Sequence, residues 1–322
     1  MAEILLSEVE KYYLVMGVGQ DVRVDGRSRS DYRQGDIDLN AVTNSHGSIR
    51  ARLGETDVIV ATKVDLGTPD PDRPDRGTIK FLVDCSPTAS PDFEGRGGDE
   101  LAEKICRILS IAYDKSGTID LKNLCITPKK YCYVIDVDIL VTVKLVQNKK
   151  RCSWILNYII SKVSVIQVLQ CGGNLIDVIS MAVKLCLGIC ELPRVTGLRY
   201  DLGQGVPVFS TDEFEFDYLD VKNSPVVVTL PRVGRYFVVD ASLEEESCSK
   251  GKLAFGVTPD GCVTSIDKLG RGCYQVKSIQ AATAMASTVG ANVNNTINMR
   301  IDSLRELKLR ADPKPLSMPM DI

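Results

Sequence analysis

Apolar residues recur at Ile4, Leu5, Val9, Tyr12 and Tyr13, the spacing of one helical face, and predict an amphipathic first helix. A polar, Arg-rich stretch, residues 21–34, follows it. From Ile37 the pattern changes to alternation. It runs through Leu39 and Val42, a turn at Ser45-His46-Gly47, Ile49 and Ala51, a second turn at Gly54-Glu55-Thr56, then DVIVATKVDL, and so predicts a β-meander. GTPDPDRPDRG (67–77) is rich in Pro and Asp and predicts an exposed loop before the strand FLVDC. Leu101, Ile105, Ile108, Leu109 and Ala112 mark a helix over about 99–113; a strand follows at about 133–141 and a second helix at about 174–187.

The later half predicts four strands, PVVVTL, YFVVDASL, KLAFGVT and CVTSI, with a turn at Pro259-Asp260-Gly261, and a long closing helix over about 276–308. ADPKPLSMPMDI, with three prolines, predicts a frayed tail. Strands grouped ahead of helices, without strict alternation, place the chain in the α+β class rather than among doubly wound nucleotide-binding sheets.

One stretch fits neither period. Residues 142–168, TVKLVQNKKRCSWILNYIISKVSVIQV, hold the only Trp, are basic and contain no acid. Taken alone, they would pass for a strand-helix piece or a membrane-surface helix.

At 322 residues the chain is long enough for one large or two moderate domains, and 44% apolar with 25% charged residues excludes wholesale disorder. A net charge of −3 argues against nucleic-acid binding through the overall field, though not through a local basic groove. The single histidine, His46, rules out multi-histidine metal sites, and a Ser-His-Asp or Cys-His device would have to use it as base. Eleven cysteines, an odd number with no C-x-x-C pair, read as free buried thiols in a reducing compartment. The N-terminus lacks the pattern of a signal peptide, and no uncharged apolar run spans a bilayer; the expectation is a soluble intracellular chain with no membrane association, metal or cofactor.

No G-x-x-x-x-G-K-[ST] or strand-linked G-x-G-x-x-G occurs. Gly95-Arg96-Gly97-Gly98 and Gly172-Gly173-Asn174-Leu175 each precede a predicted helix, where backbone N–H groups face an anion or simply make a turn. Arginines 23, 27, 29 and 33 suit either RNA phosphates or a solvated segment. Asp240 and the trio Glu244-Glu245-Glu246 suit a divalent cation or a general acid, or are an ordinary solvated loop.

Five blocks in order, RVDGR (23–27), LGETDVIV (53–60), FEGRGGDE (93–100), CGGNLIDVISMAVK (171–184) and VVDASLEEE (238–246), resemble the RNase PH family, in particular its non-catalytic exosome ring subunits. The resemblance covers nearly the whole chain except 142–168 and the tail. It implies the RNase PH fold, related to the second domain of a ribosomal protein, as an N-terminal helix and arm (1–30), domain 1 (31–200), domain 2 (201–310) and a tail (311–322). It further implies a hexameric ring of RNase PH-like subunits, capped by OB-fold and KH proteins, that threads single-stranded RNA to catalytic nuclease subunits in nucleus, nucleolus and cytoplasm. The associated roles are ribosomal RNA maturation and mRNA turnover.

Active relatives hold inorganic phosphate with a Gly-Gly-[Ser/Thr]-Arg turn and carry an acid pair D-x₅-D. Here the turn is Gly172-Gly173-Asn174-Leu175, with Leu175 where the arginine would be; Asp240 matches the first acid and Glu246, one methylene longer, the second. A charge-assisted arginine contact is worth about 1.5–3 kcal/mol, and losing one such preorganised donor costs ~10²–10³ in rate. The resemblance therefore implies a degenerate, non-catalytic site; the alternative is an active phosphorolytic 3′-to-5′ exoribonuclease that borrows an arginine from a partner. A small-molecule kinase on the same fold lacks an ATP loop. Arg96 is the leading RNA-facing candidate. Arg23 and Arg27 suit RNA contact, or tying the arm down to Asp25 or a partner chain. In relatives the strand before the Gly-Gly turn runs almost directly into it, so 142–168 are about 27 extra residues. Their bias toward residues with AT-rich codons is what a retained intron would give; a lineage-specific surface loop is the alternative, and either is expected to be extruded from the fold.

Overall fold

The computed structural model describes residues 6–42, 44–85, 96–115, 117–141, 172–201, 204–210, 215–309 and 317–320. Helix α1 (Glu8–Gly19) starts where Ser7 and Glu10 form a reciprocal capping box, each side chain bonding the other's backbone N–H. Its buried residues are Leu14 and Val18, whereas Val9, Tyr12 and Tyr13 are exposed. The expected apolar face is thus turned outward. The helix makes only the shallow contact that an added arm permits, and Ile4 and Leu5 lie outside the described residues.

The meander forms as expected from β1 (Gly35–Leu39), β2 (Gly47–Leu53) and β3 (Thr56–Gly67). With β4 (Thr78–Cys85), β5 (Cys125–Thr127), β6 (Tyr131–Val141) and β15 (Ser317–Met320) it builds a seven-stranded sheet in the order β15-β1-β2-β3-β6-β4, with β5 paired to β6. Among the described strands only β4 and β6 run parallel, the crossover being made by α2 (Arg96–Ser110) and a π-helical turn, Ile111–Lys115. The seventh strand corrects the frayed-tail expectation: β15 (Ser317–Met320) pairs antiparallel with β1. Pro319 sits on this edge, where a missing N–H costs no interior ladder bond.

Helix α3 (Leu175–Gly188) has all fourteen residues buried, because it packs on β2 and β3 on one side and on the second sheet and closing helix on the other. Its sequence, LIDVISMAVKLCLG, is apolar nearly all round, as such a position demands. Short strands β7 (Glu191–Pro193), β8 (Val195–Asp201), β9 (Gln204–Phe209) and β10 (Phe216–Tyr218) connect onward as two antiparallel pairs. The second sheet has the order β12-β11-β13-β14, from β11 (Val226–Val233), β12 (Tyr236–Phe237), β13 (Gly251–Val257) and β14 (Val263–Gly270). YFVVDASL is a strand for two residues only. The chain then turns through Asp240 into a short helix, α4 (Leu243–Cys248), capped by a Ser242–Glu245 box. Helix α5 (Val276–Leu309) closes the fold over β11, β13 and α3.

Residues 142–168 lie outside the described residues. So do 169–171; on either side of this interval Val141 pairs with Val58, and Gly172 N–H donates to Thr56 Oγ1 at 3.2 Å, so Val141 and Gly172 reach the same end of β3.

Candidate functional site

The turn 172–174 is held open to one side by close packing. A Cβ on Gly173, whose φ is +91°, would stand 2.6 Å from Ala241 O and 2.7 Å from Leu243 N, so only glycine lets β3, this turn and the β12–α4 connection meet. Thr56 Oγ1 donates to Gly173 O at 2.7 Å and pins the turn to β3. These contacts bring the first turn of α3 against Asp240 and α4.

Asp240 is fully buried, with a φ of +47°. Its carboxylate accepts from Arg33 Nε and backbone N–H at 2.9 and 2.7 Å on Oδ2, from Arg33 Nη2 at 2.8 Å on Oδ1, and from Arg27 Nη1 at 3.0 Å. Asn174 Nδ2 adds a bond of 2.8 Å to Oδ1. Burial alone would raise this carboxyl, but hydrogen bonds and charge from Arg33 outweigh it and hold it below the usual carboxylate range. Arg33 also donates to Gly172 O and Gly173 O at 3.0 and 3.3 Å, so one guanidinium clamps the acid to the turn.

Glu246 takes the other anionic position. The Asn174 backbone N–H, at the start of α3, donates to its Oε1 at 3.1 Å, and Lys252 Nζ reaches the same oxygen at 3.0 Å. A helix N-terminus is where an anion is favoured, and here the anion is a side chain of the protein. Leu175, at 5% exposure, is part of the core and its side chain offers no donor.

Beneath the turn, Asp177 accepts from Thr229 N–H at 2.7 Å and from Tyr32 OH at 2.9 Å. Complete burial outweighs these bonds and raises its pKa to about 7.

The N-terminal arm completes the site. Arg23 is buried, paired through Nε and Nη2 with both Glu245 oxygens, and donates to Val239 O and Asp240 O at 3.0 and 2.8 Å. It cannot reach an RNA phosphate, which corrects that candidacy. Arg27 bridges Asp25 at 2.6 Å and Asp240 at 3.0 Å, so it too is engaged internally. Arg96 opens α2, but its side chain lies outside the described residues. Asp240, Glu246, Leu175, Gly172, Gly173 and Asn174 therefore converge, while Arg23 and Arg27 serve as braces. Of the two readings the sequence left open for the Glu trio, the solvated loop does not hold for Glu245 and Glu246, which are buried. It also missed Arg33 as the clamp, Lys252, Thr56 and the buried Asp177. The one available signal was the arginine cluster itself, whose partners lie some 200 positions away.

Beside Glu246 opens a cavity of about 520 Å³ between α2, β13 and β14. Its cations are Lys104, Arg107, Lys250, Lys252 and Lys268. Lys104, Arg107 and Lys252 pair with Glu100, Asp267 and Glu246, which leaves Lys250 and Lys268 without an ion pair among the described residues. No cluster of three or more metal-ligating side chains occurs among the described residues.

A seven-stranded sheet and a smaller antiparallel sheet pack on opposite sides of α3, and a glycine turn at the start of that helix faces the buried Asp240 and Glu246. The sequence profiles of the 3′ exoribonuclease (RNase PH) family match the chain, domain 1 over residues 31–145 and domain 2 over 223–289. Exosome complex component Rrp42 of Thermococcus onnurineus is 30% identical over 295 residues, covering 92% of this chain and 96% of the relative. The Methanosarcina mazei protein of the same name is 30% identical over 270 residues, 84% of this chain and 86% of the relative. Among solved structures, a chain of the Archaeoglobus fulgidus exosome with RNA bound to the active site superposes with a TM-score of 0.67 at 25% identity, covering 89% of this chain and 97% of that one. An archaeal exosome core chain gives 0.68 at 23% identity, covering 92% and 100%. The chain belongs to the RNase PH family and has its fold.

Proposed function

We propose that this chain is a non-catalytic ring subunit of an RNA exosome, the position counted as component seven, which scaffolds the ring and guides single-stranded RNA for 3′-to-5′ processing and decay. The carrying observation is that the anion seat is already filled. Glu246 accepts the Asn174 N–H at the start of α3, where a phosphate would be held, and Asp240 has both oxygens occupied by Arg33, Arg27 and Asn174. Phosphorolysis needs that seat for inorganic phosphate, and Leu175 supplies no guanidinium to recruit one. The enzyme reading would need Glu246 to leave the Asn174 N–H and Lys252 together.

The exosome-named relatives support ring assembly with other RNase PH-like subunits, and the cationic cavity beside Glu246 suits an RNA backbone held without base readout. OB-fold and KH cap proteins, catalytic nuclease subunits, ribosomal RNA maturation, mRNA turnover, and residence in nucleus, nucleolus and cytoplasm complete this reading. The test follows phosphate-dependent shortening of a 5′-labelled single-stranded RNA by the chain alone and mixed with its ring partners, with size-exclusion chromatography in parallel. No shortening by the chain alone, with entry into a ring-sized complex, supports a scaffold. Shortening by the isolated chain would establish the enzyme instead.

A further inference from the structure

A second cavity, of about 510 Å³, lies away from the α3 turn, between the N-terminal arm, the β11–β12 turn and the first turns of α5. One wall is a stacked pair: the Arg29 guanidinium lies over the Tyr236 ring, 4.6 Å from its centroid. Arg29 is fixed there, because Asp21 Oδ1 accepts both its backbone N–H and its Nε at 2.9 Å, and its own carbonyl accepts from Val239 N–H at 2.8 Å. Phe237 and Met285 add apolar surface. At the rim stand Arg235 and Lys277, both exposed and without an ion pair among the described residues. The first turn of α5 carries no acid, and Asp21, already committed to Arg29, is the only carboxylate in the lining.

This composition selects a ligand. A planar cation and an aromatic ring, preorganised in one stack, suit the face of a base, whereas unpaired cations at the rim suit a phosphate. A cavity of this size holds one nucleotide with room to spare. An acidic peptide would satisfy the cations but not the stacked wall, and 44% exposure of Tyr236 marks a ring that a monomer gains little by presenting to water. We infer that this cavity is a nucleotide site, taking a nucleoside monophosphate unit with its base against the Arg29–Tyr236 stack and its phosphate on Arg235 and Lys277. The unit comes either as one residue of a single-stranded RNA or as a free mononucleotide; the strand source rests on the RNA-guiding reading above, the free source does not.

The test uses the full chain with two probes, a fluorescein-labelled octauridylate followed by anisotropy and unlabelled UMP followed by calorimetry. In the double variant Arg235→Gln/Lys277→Gln, octauridylate binding is expected to fall at least tenfold. The slope of log affinity against log salt should flatten by about 0.7, the worth of the one phosphate neutralised on a single strand. Tyr236→Ala is expected to weaken binding about tenfold with that slope unchanged, since stacking releases no counterions. All three residues are exposed, so the fold survives, as circular dichroism checks. Binding of both probes through these residues supports the site with a free-nucleotide source; octauridylate alone supports it with a strand source. Binding of UMP through Tyr236 without any octauridylate binding keeps the site and sinks RNA guiding. The assignment itself falls if neither variant changes affinity for either probe. It also falls if only Lys250→Gln/Lys268→Gln weakens octauridylate, a result that would leave RNA guiding in place.

Discussion

Helices α3 and α5 both begin near cationic surface, but their first turns are in opposite states. At α3 the protein supplies its own anion: Glu246 accepts the Asn174 N–H, Lys252 neutralises it, and Asp240 behind is occupied by arginines. At α5 the first turn has no acid, and Arg235 and Lys277 have no ion pair among the described residues beside an open cavity. The lesson is that a glycine turn ahead of a helix, or a row of basic residues, does not locate a ligand site. What locates it is whether the fold has already satisfied those groups.

The largest expected effect comes from dismantling the filled site. Asp240→Ala leaves the largely buried Arg33 and Arg27 without their acid, and loss of one partner from a buried pair costs about 3–5 kcal/mol, measurable by urea unfolding. A loss below about 1 kcal/mol would mean the clamp is not structural. Next is Gly173→Ala. Its positive φ alone costs about 1–3 kcal/mol, and the contact with Ala241 O adds to it.

Glu246→Ala tests the seat directly. It should cost about 0.5–2 kcal/mol as a lost bond at the helix start. Millimolar inorganic phosphate should then raise the melting temperature of this variant and not of the parent chain. An equal response in both would show that the seat was never closed.

A pH experiment sharpens the picture one turn further along α3. The folded pKa of Asp177, about 7, stands above its ordinary value of 3.8, so the native state binds the extra proton between the two. Asp177 therefore favours folding most below about pH 4, and that contribution is lost as pH rises to 7. Asp177→Asn should remove this decline from the pH profile of the unfolding free energy, with no change in slope above pH 8. The smallest effect belongs to the open helix: Arg235→Gln/Lys277→Gln should shift stability by no more than about 0.5 kcal/mol, as surface changes do.

The region 142–168 adds an independent check, since Val141 and Gly172 meet at the same end of β3. A chain shortened so that Val141 joins Gly172 through two or three residues should keep its fold and its urea midpoint. Transcript reads spliced across the same interval would identify it as intron sequence, and only uninterrupted reads as a genuine insertion.

Most of the architecture was legible from periodicity. The meander, the α2 and α3 helices, the second sheet and the closing helix all appear where alternation or a 3.6-residue stripe put them, because burial on one face writes directly into sequence order. Errors concentrate where burial is decided by something distant. Val9, Tyr12 and Tyr13 form a tidy stripe, yet α1 buries Leu14 and Val18 instead. The tail, rich in Pro, nevertheless pairs with β1, because an edge strand tolerates a residue that donates no hydrogen bond. The short strands from β7 to β10 carry too few residues to show a period.

For the site, residue types in order were enough to identify the RNase PH family, the glycine turn and the substitution of leucine for its arginine. Those depend on local backbone needs and on the side chain at one position, both of which a sequence carries by itself. What the tertiary structure alone decided is the partner of each charge. Arg33 and Asp240 lie 207 positions apart, and Asn174 and Glu246 lie 72 apart. Whether an arginine is a brace or an open contact depends on which carboxylate the fold brings within 3 Å and how much water it excludes there, and neither is a property of neighbours along the chain.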